Sequence, residues 1–72
     1  MPDTRVMTPQ RVRDCVRDIE QKRGDHEAAH GAEDSLYYDI LWCIANNAIV
    51  DMRECAKEAI KTKDIAFCRW CA

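Results

Sequence analysis

The sequence predicts an all-α fold, and three observations carry that prediction. Apolar residues recur at the three-and-four spacing of an amphipathic helix, helix-start signals precede each apolar stretch, and no alternating apolar and polar run reaches strand length. We expect a small bundle of three helices in an antiparallel hairpin arrangement, with a short fourth helix at the C-terminus. The expected spans are about residues 8–23, 25–46, 51–62 and 64–71, all in one domain (8–72) behind a flexible arm (1–7).

Helix one starts at Thr8-Pro9, where a hydroxyl caps a free amide and proline at the first helical position loses no hydrogen bond. Met7 can staple against Val12. Val12, Cys15, Val16 and Ile19 form its apolar stripe, and Lys22, Arg23 and Gly24 suit its end. Asp25 then caps helix two, with a stripe of Ala29, Ala32, Leu36, Ile40, Cys43 and Ile44, widened by Tyr37, Leu41 and Ala45. Gly31 lies inside that helix at a cost of about 1 kcal/mol relative to alanine. Either a neighbouring backbone passes close to it or the helix restarts at Asp34-Ser35, and continuity is the favoured reading. Asn46-Asn47 marks a break, and Asp51 to Glu54 has capping-box spacing, with Val50 and Cys55 as the staple pair. Met52, Cys55, Ala56, Ala59 and Ile60 make the stripe of helix three. The ending from Asp64 is apolar enough to pack Ile65, Phe67, Cys68 and Trp70 onto the rest as a short helix.

Seventy-two residues exclude a multi-layer enzyme, and one core of this size seldom supplies more than about 3–5 kcal/mol, which favours self-association or a metal staple. No stretch approaches the ~20 apolar residues of a membrane span. Five cysteines are an odd number, and no apolar signal segment follows Met1, so we expect a cytoplasmic protein with free thiols. Cys15, Cys43 and Cys55 fall on apolar stripes, as small buried hydrophobes do.

The net charge of −2 argues against nucleic acid as a partner, and Asp14, Asp18 and Glu20 interrupt the arginines of helix one. The charges are segregated: both ends are mildly basic, and no Lys or Arg occurs between Gly24 and Met52. Asp25, Glu27, Glu33, Asp34, Asp39 and Asp51 fill that middle block. A solvated helical face explains such a block in ordinary terms, and a docking surface for a basic protein explains it functionally.

Two motifs could bear chemistry. His26-Glu27-Ala28-Ala29-His30 fits H-E-x-x-H, in which two histidines one turn apart share a zinc ion and the glutamate deprotonates its water. A third ligand is needed. Glu54 stands 24 residues on, and Asp34 is separated from His26 by eight residues, about 12 Å of helix. A peptidase would also need a substrate-holding sheet, so the string reads as coincidental and the protein as non-enzymatic. Cys68 and Cys71 form a C-x-x-C that could complete a two-Cys, two-His structural zinc site with His26 and His30 if the tail folds back. Otherwise no cofactor is expected.

The segment Asp25-x-Glu-Ala-Ala-His30-Gly-x-Glu33-Asp34-x-Leu36-Tyr37, with the ending Lys61-Thr-x-Asp64-Ile-x-Phe67-x-Arg69-Trp70-Cys71-Ala72, resembles small uncharacterised proteins of bacterial and phage or prophage genomes. The resemblance spans about residues 11–72. It implies a short helical cytoplasmic protein with an accessory or host-interaction role, and it assigns no activity to any residue. The first histidine and the first cysteine of the terminal pair need not be present in such proteins. The leading expectation is therefore a dimeric interaction protein that presents Glu33, Asp34, Tyr38 and Trp42 to a partner protein.

Overall fold

The computed structural model describes residues 6–69. Among them are three α-helices, α1 (Pro9–Gln21), α2 (His26–Ala45) and α3 (Met52–Ala59), followed by a 3-10 helix (Ile60–Asp64). Each α-helix begins where its cap residue dictates. Thr8 accepts from the Arg11 amide (3.2 Å), Asp25 from Ala28 (3.1 Å) and Asp51 from Glu54 (3.4 Å). Lys22–Asp25 carries the chain tightly from α1 into α2, and α2 runs unbroken through Gly31. A side chain at Gly31 would meet nothing within 4 Å, so neither close backbone approach nor a restart explains this glycine.

The end of α2 is a Schellman motif. Asn47 takes a left-handed conformation (φ 55), while the Ala48 amide donates to the Cys43 carbonyl and the Asn47 amide to Ile44. Asn46-Asn47 is thus the break the sequence indicates, because asparagine tolerates this backbone region better than other non-glycine residues. The chain next pairs with the segment before α1. The Met7 amide donates to Ala48 and the Val50 amide to Met7 (2.9 Å each), an isolated parallel bridge between Met7 and Ile49. Met7 is only 3% exposed, so the expected arm is corrected at position 7: apolar burial and two backbone bonds fix it in the core. Residues 1–5 of that arm lie outside the described residues.

The core joins Met7, Val12, Ile19, Ala29, Leu36, Ile40, Cys43, Cys55, Ala59 and Ile65, with Cys15, Val16, Ala32, Tyr37, Trp42 and Phe67 packed at its margin. α1 lies against α2, α3 and the 3-10 helix. Leu41, Ile44, Ala45, Met52, Ala56 and Ile60, read from the spacing as stripe residues, are instead exposed. Their stripes are wider than one small chain can cover. Val50 is also exposed, although its expected staple partner Cys55 is buried and donates its thiol to the Val50 carbonyl (3.3 Å).

The second correction concerns the C-terminus. A helix over 64–71 is not formed within the described part, since residues 65–69 are non-helical and Ile65 is already extended (φ −82, ψ 123). Carbonyls that a helix would satisfy are taken by one side chain: Arg69 donates to the oxygens of Thr62 (2.8 Å), Phe67 (3.3 Å) and Ile65 (3.4 Å).

Candidate functional site

The first half of α2 carries most of the residues singled out by sequence. His26 opens the helix and is exposed, and His30 follows one turn later, half-buried, with its Nε2 3.6 Å from the Asp34 carboxylate. Glu27 between them is exposed in the first turn, where a carboxylate favours the positive end of the helix. Among the described residues no three His, Cys, Asp or Glu side chains lie close enough to hold a metal ion, so neither Glu54 nor Asp34 completes a set with the two histidines. Cys68 is half-buried, and its expected zinc partner Cys71 lies outside the described residues.

Glu33 overturns its expected role as an exposed docking residue. It is 5% exposed and pairs with Arg69, whose Nε and Nη2 reach the two carboxylate oxygens at 2.9 and 3.0 Å. A buried carboxylate demands a cation, and the guanidinium matches it with two parallel bonds. Those bonds hold the Glu33 carboxyl below the usual carboxylate range, and a hydrogen bond with Thr62 helps, while burial opposes. Arg69 also stacks on Phe67, its guanidinium carbon 3.8 Å from the ring centroid. Thr62, fully buried, shares a hydrogen bond with the Tyr37 hydroxyl. Tyr37, Thr62, Glu33 and Arg69 thus form one polar clasp between α2, the 3-10 helix and the tail. Sequence reasoning missed it because nothing in the local pattern connects residues 33 and 69.

The remaining docking candidates differ in access. Asp34 is exposed and Tyr38 is 63% exposed, whereas Trp42 is half-buried against the core. One turn beyond Tyr38 in sequence, Leu41 lines a feature absent from the sequence expectation: an open groove of about 250 Å³ between α2 and α3 with the start of the 3-10 helix, lined by Tyr37, Ile40, Leu41, Ala56, Ala59 and Ile60. Its walls are entirely apolar. Leu41 and Ile60 on its two sides are 65% and 58% exposed. The signal was present in the chain as an apolar stripe too broad for the core: Leu36, Tyr37, Tyr38, Ile40, Leu41, Trp42, Cys43 and Ile44 leave hardly any polar face in the second half of α2.

Cys15 is half-buried and Cys55 buried. Burial raises the pKa of Cys15 and of Cys55, which keeps both in the poorly nucleophilic thiol form. No helix among the described residues is long and apolar enough to cross a membrane. Comparison with protein-family models, with curated proteins and with solved structures finds no match.

Proposed function

We propose that this chain is a non-enzymatic protein-interaction module that docks a partner protein on the α2–α3 groove and on the outer edge of α2 beside it. The observation that carries this reading is the groove itself. Leu41 and Ile60 expose large apolar surface at a wholly apolar depression, and contiguous surface of that kind on a small protein marks an interaction site. Helical periodicity places Glu27, Asp34, Tyr38, Leu41 and Ala45 on one edge of α2. The edge is therefore acidic in its N-terminal half and apolar in its C-terminal half, which suits a partner that sets a basic patch beside an apolar one. An accessory role in the cytoplasm, of the phage or prophage kind, accords with the resemblance of the Asp25–Tyr37 and Lys61–Ala72 segments and needs no cofactor.

A photo-cross-linking side chain substituted at Tyr38 tests the reading in living cells. Discrete protein adducts are expected, to this chain or to another, and they should vanish when Leu41→Lys is added. Absence of any adduct at position 38, with the protein folded and abundant, would refute the proposal.

A further inference from the structure

We infer that the tail segment 65–69 is a latch on the α2–α3 groove: the grip of Arg69 on Glu33 and Thr62 holds the 3-10 part of the groove wall against α2, and release of that grip splays the groove and weakens docking. The inference rests on the interaction reading above and concerns the regulation of that same site. One wall of the groove is Tyr37, Ile40 and Leu41 of α2, and the other is Ala56 and Ala59 of α3 with Ile60 of the 3-10 helix. Ile60 is the least secured of these. It is 58% exposed, so apolar packing does little to fix it. It opens a five-residue 3-10 helix, a form whose hydrogen bonds are poorer than those of an α-helix and whose runs seldom exceed about four residues.

What fastens this short helix is polar and lies beyond Ile60. Its backbone rests on α1 and α3, and its ties to α2 run through side chains. Thr62, two residues after Ile60 and wholly buried, is held at both of its oxygens. Its hydroxyl shares a hydrogen bond with Tyr37, itself a groove residue, and its carbonyl accepts from Arg69 Nη2 at 2.8 Å. The same nitrogen donates at 3.0 Å to Glu33 Oε2, one turn of α2 before Tyr37. A single guanidinium nitrogen therefore joins the α2 side of the groove to the 3-10 side, and the tail carries it. Ile65, buried, and Phe67, half-buried beneath the guanidinium, seat the arginine. With the tail drawn away, Glu33 loses the cation that its burial requires and the Thr62 carbonyl loses its donor, which leaves the Tyr37 hydroxyl to hold the 3-10 helix to α2. The position of the tail thereby controls a site that it does not line.

Methyl NMR spectra of the isoleucine-labelled full chain test the latch by itself, and cross-linking from position 38 tests its consequence. In Arg69→Ala the signals of Ile40 and Ile60 are expected to shift while that of Ile49, at the Met7 bridge, stays in place. The Ile65 amide, bonded to the Thr62 carbonyl at 3.0 Å, should exchange with solvent at least about tenfold faster. Arg69→Lys keeps the charge and loses the fork, so it gives smaller shifts in the same direction and serves if the alanine variant does not fold. Thr8→Ala removes the cap of α1 at the Met7 end of the molecule, a loss of stability that leaves the clasp intact and the Ile60 signal unmoved. Adducts formed from position 38 are expected to be largely lost in Arg69→Ala. An Ile60 signal that stays in place in both Arg69 variants, or that moves as far in Thr8→Ala, overturns the inference. So do adducts of undiminished yield in an Arg69→Ala chain that is folded and equally abundant. A wild type that forms no adduct refutes the interaction reading instead, and the methyl signals then decide the latch alone.

Discussion

Arg69 grips Glu33 across 36 positions of sequence with two parallel hydrogen bonds of 2.9 and 3.0 Å. The glutamate is buried in α2 and the arginine is about one-third exposed, so the pair joins the tail to the core at its margin. The same guanidinium satisfies the Thr62, Ile65 and Phe67 carbonyls, which lets the chain leave the 3-10 helix without orphaned acceptors. One side chain therefore both ends a helix and anchors the segment after it.

Removing the arginine leaves a buried carboxylate without its cation. Arg69→Ala should lower the unfolding free energy by roughly 1–3 kcal/mol, the usual cost of an unsatisfied buried group, moderated here by the exposure of the pair. Arg69→Lys should recover only part, because an ammonium cannot make the forked contact. Urea unfolding followed by circular dichroism measures both, and an unchanged midpoint in Arg69→Ala would mean that the clasp contributes nothing.

Stability should fall in acid through two carboxylates. Glu33 is held below its ordinary value of 4.5 chiefly by Arg69, and Glu58 chiefly by Lys61, which donates to both of its oxygens at 3.0 and 3.1 Å. The folded pKa lies below the unfolded one in each case, so the unfolded chain takes up protons first as the pH drops. Their contribution is complete above about pH 4.5 and is lost as the pH falls through the folded values. Urea midpoints measured from neutral pH into acid should show a shallower acid limb in Glu33→Gln than in wild type. Equal slopes would assign the acid loss to other groups.

Gly31→Ala should stabilise the protein by about 0.5–1 kcal/mol. The residue is exposed in the interior of α2, its φ is not positive, and an added methyl meets no atom within 4 Å. Thermal melting checks this directly, and a destabilised variant would show that the glycine serves a contact beyond this single chain.

Asp51 caps α3 from a left-handed conformation (φ 55, ψ 64), where its carboxylate accepts from the Glu54 amide. Asp51→Asn should be nearly neutral, since asparagine both caps and tolerates positive φ. Asp51→Ala loses the cap and keeps the strained backbone, at about 1–2 kcal/mol or more. Equal stability of the two variants, read from urea midpoints, would dismiss the cap as the determinant.

How much of this was legible beforehand depends on the range of the signal. The three α-helix starts at Thr8, Asp25 and Asp51, the stop at Asn46-Asn47 and the burial of Val12, Ile19, Leu36 and Cys43 follow from the sequence, because caps and apolar periodicity act within one or two turns. The partnership of Glu33 with Arg69, the bridge from Met7 to Ile49 and the non-helical course of residues 65–69 were decided by tertiary packing. Glu33 stands among exposed acids in sequence, and only the arrival of a distant arginine makes its burial affordable. The groove shows the same division. Periodicity marked Leu41, Ala56 and Ile60 as apolar stripe residues, but which edge of a stripe faces the core and which faces water depends on how many helices surround it. A single short chain has too few, and this leaves the α2–α3 face open.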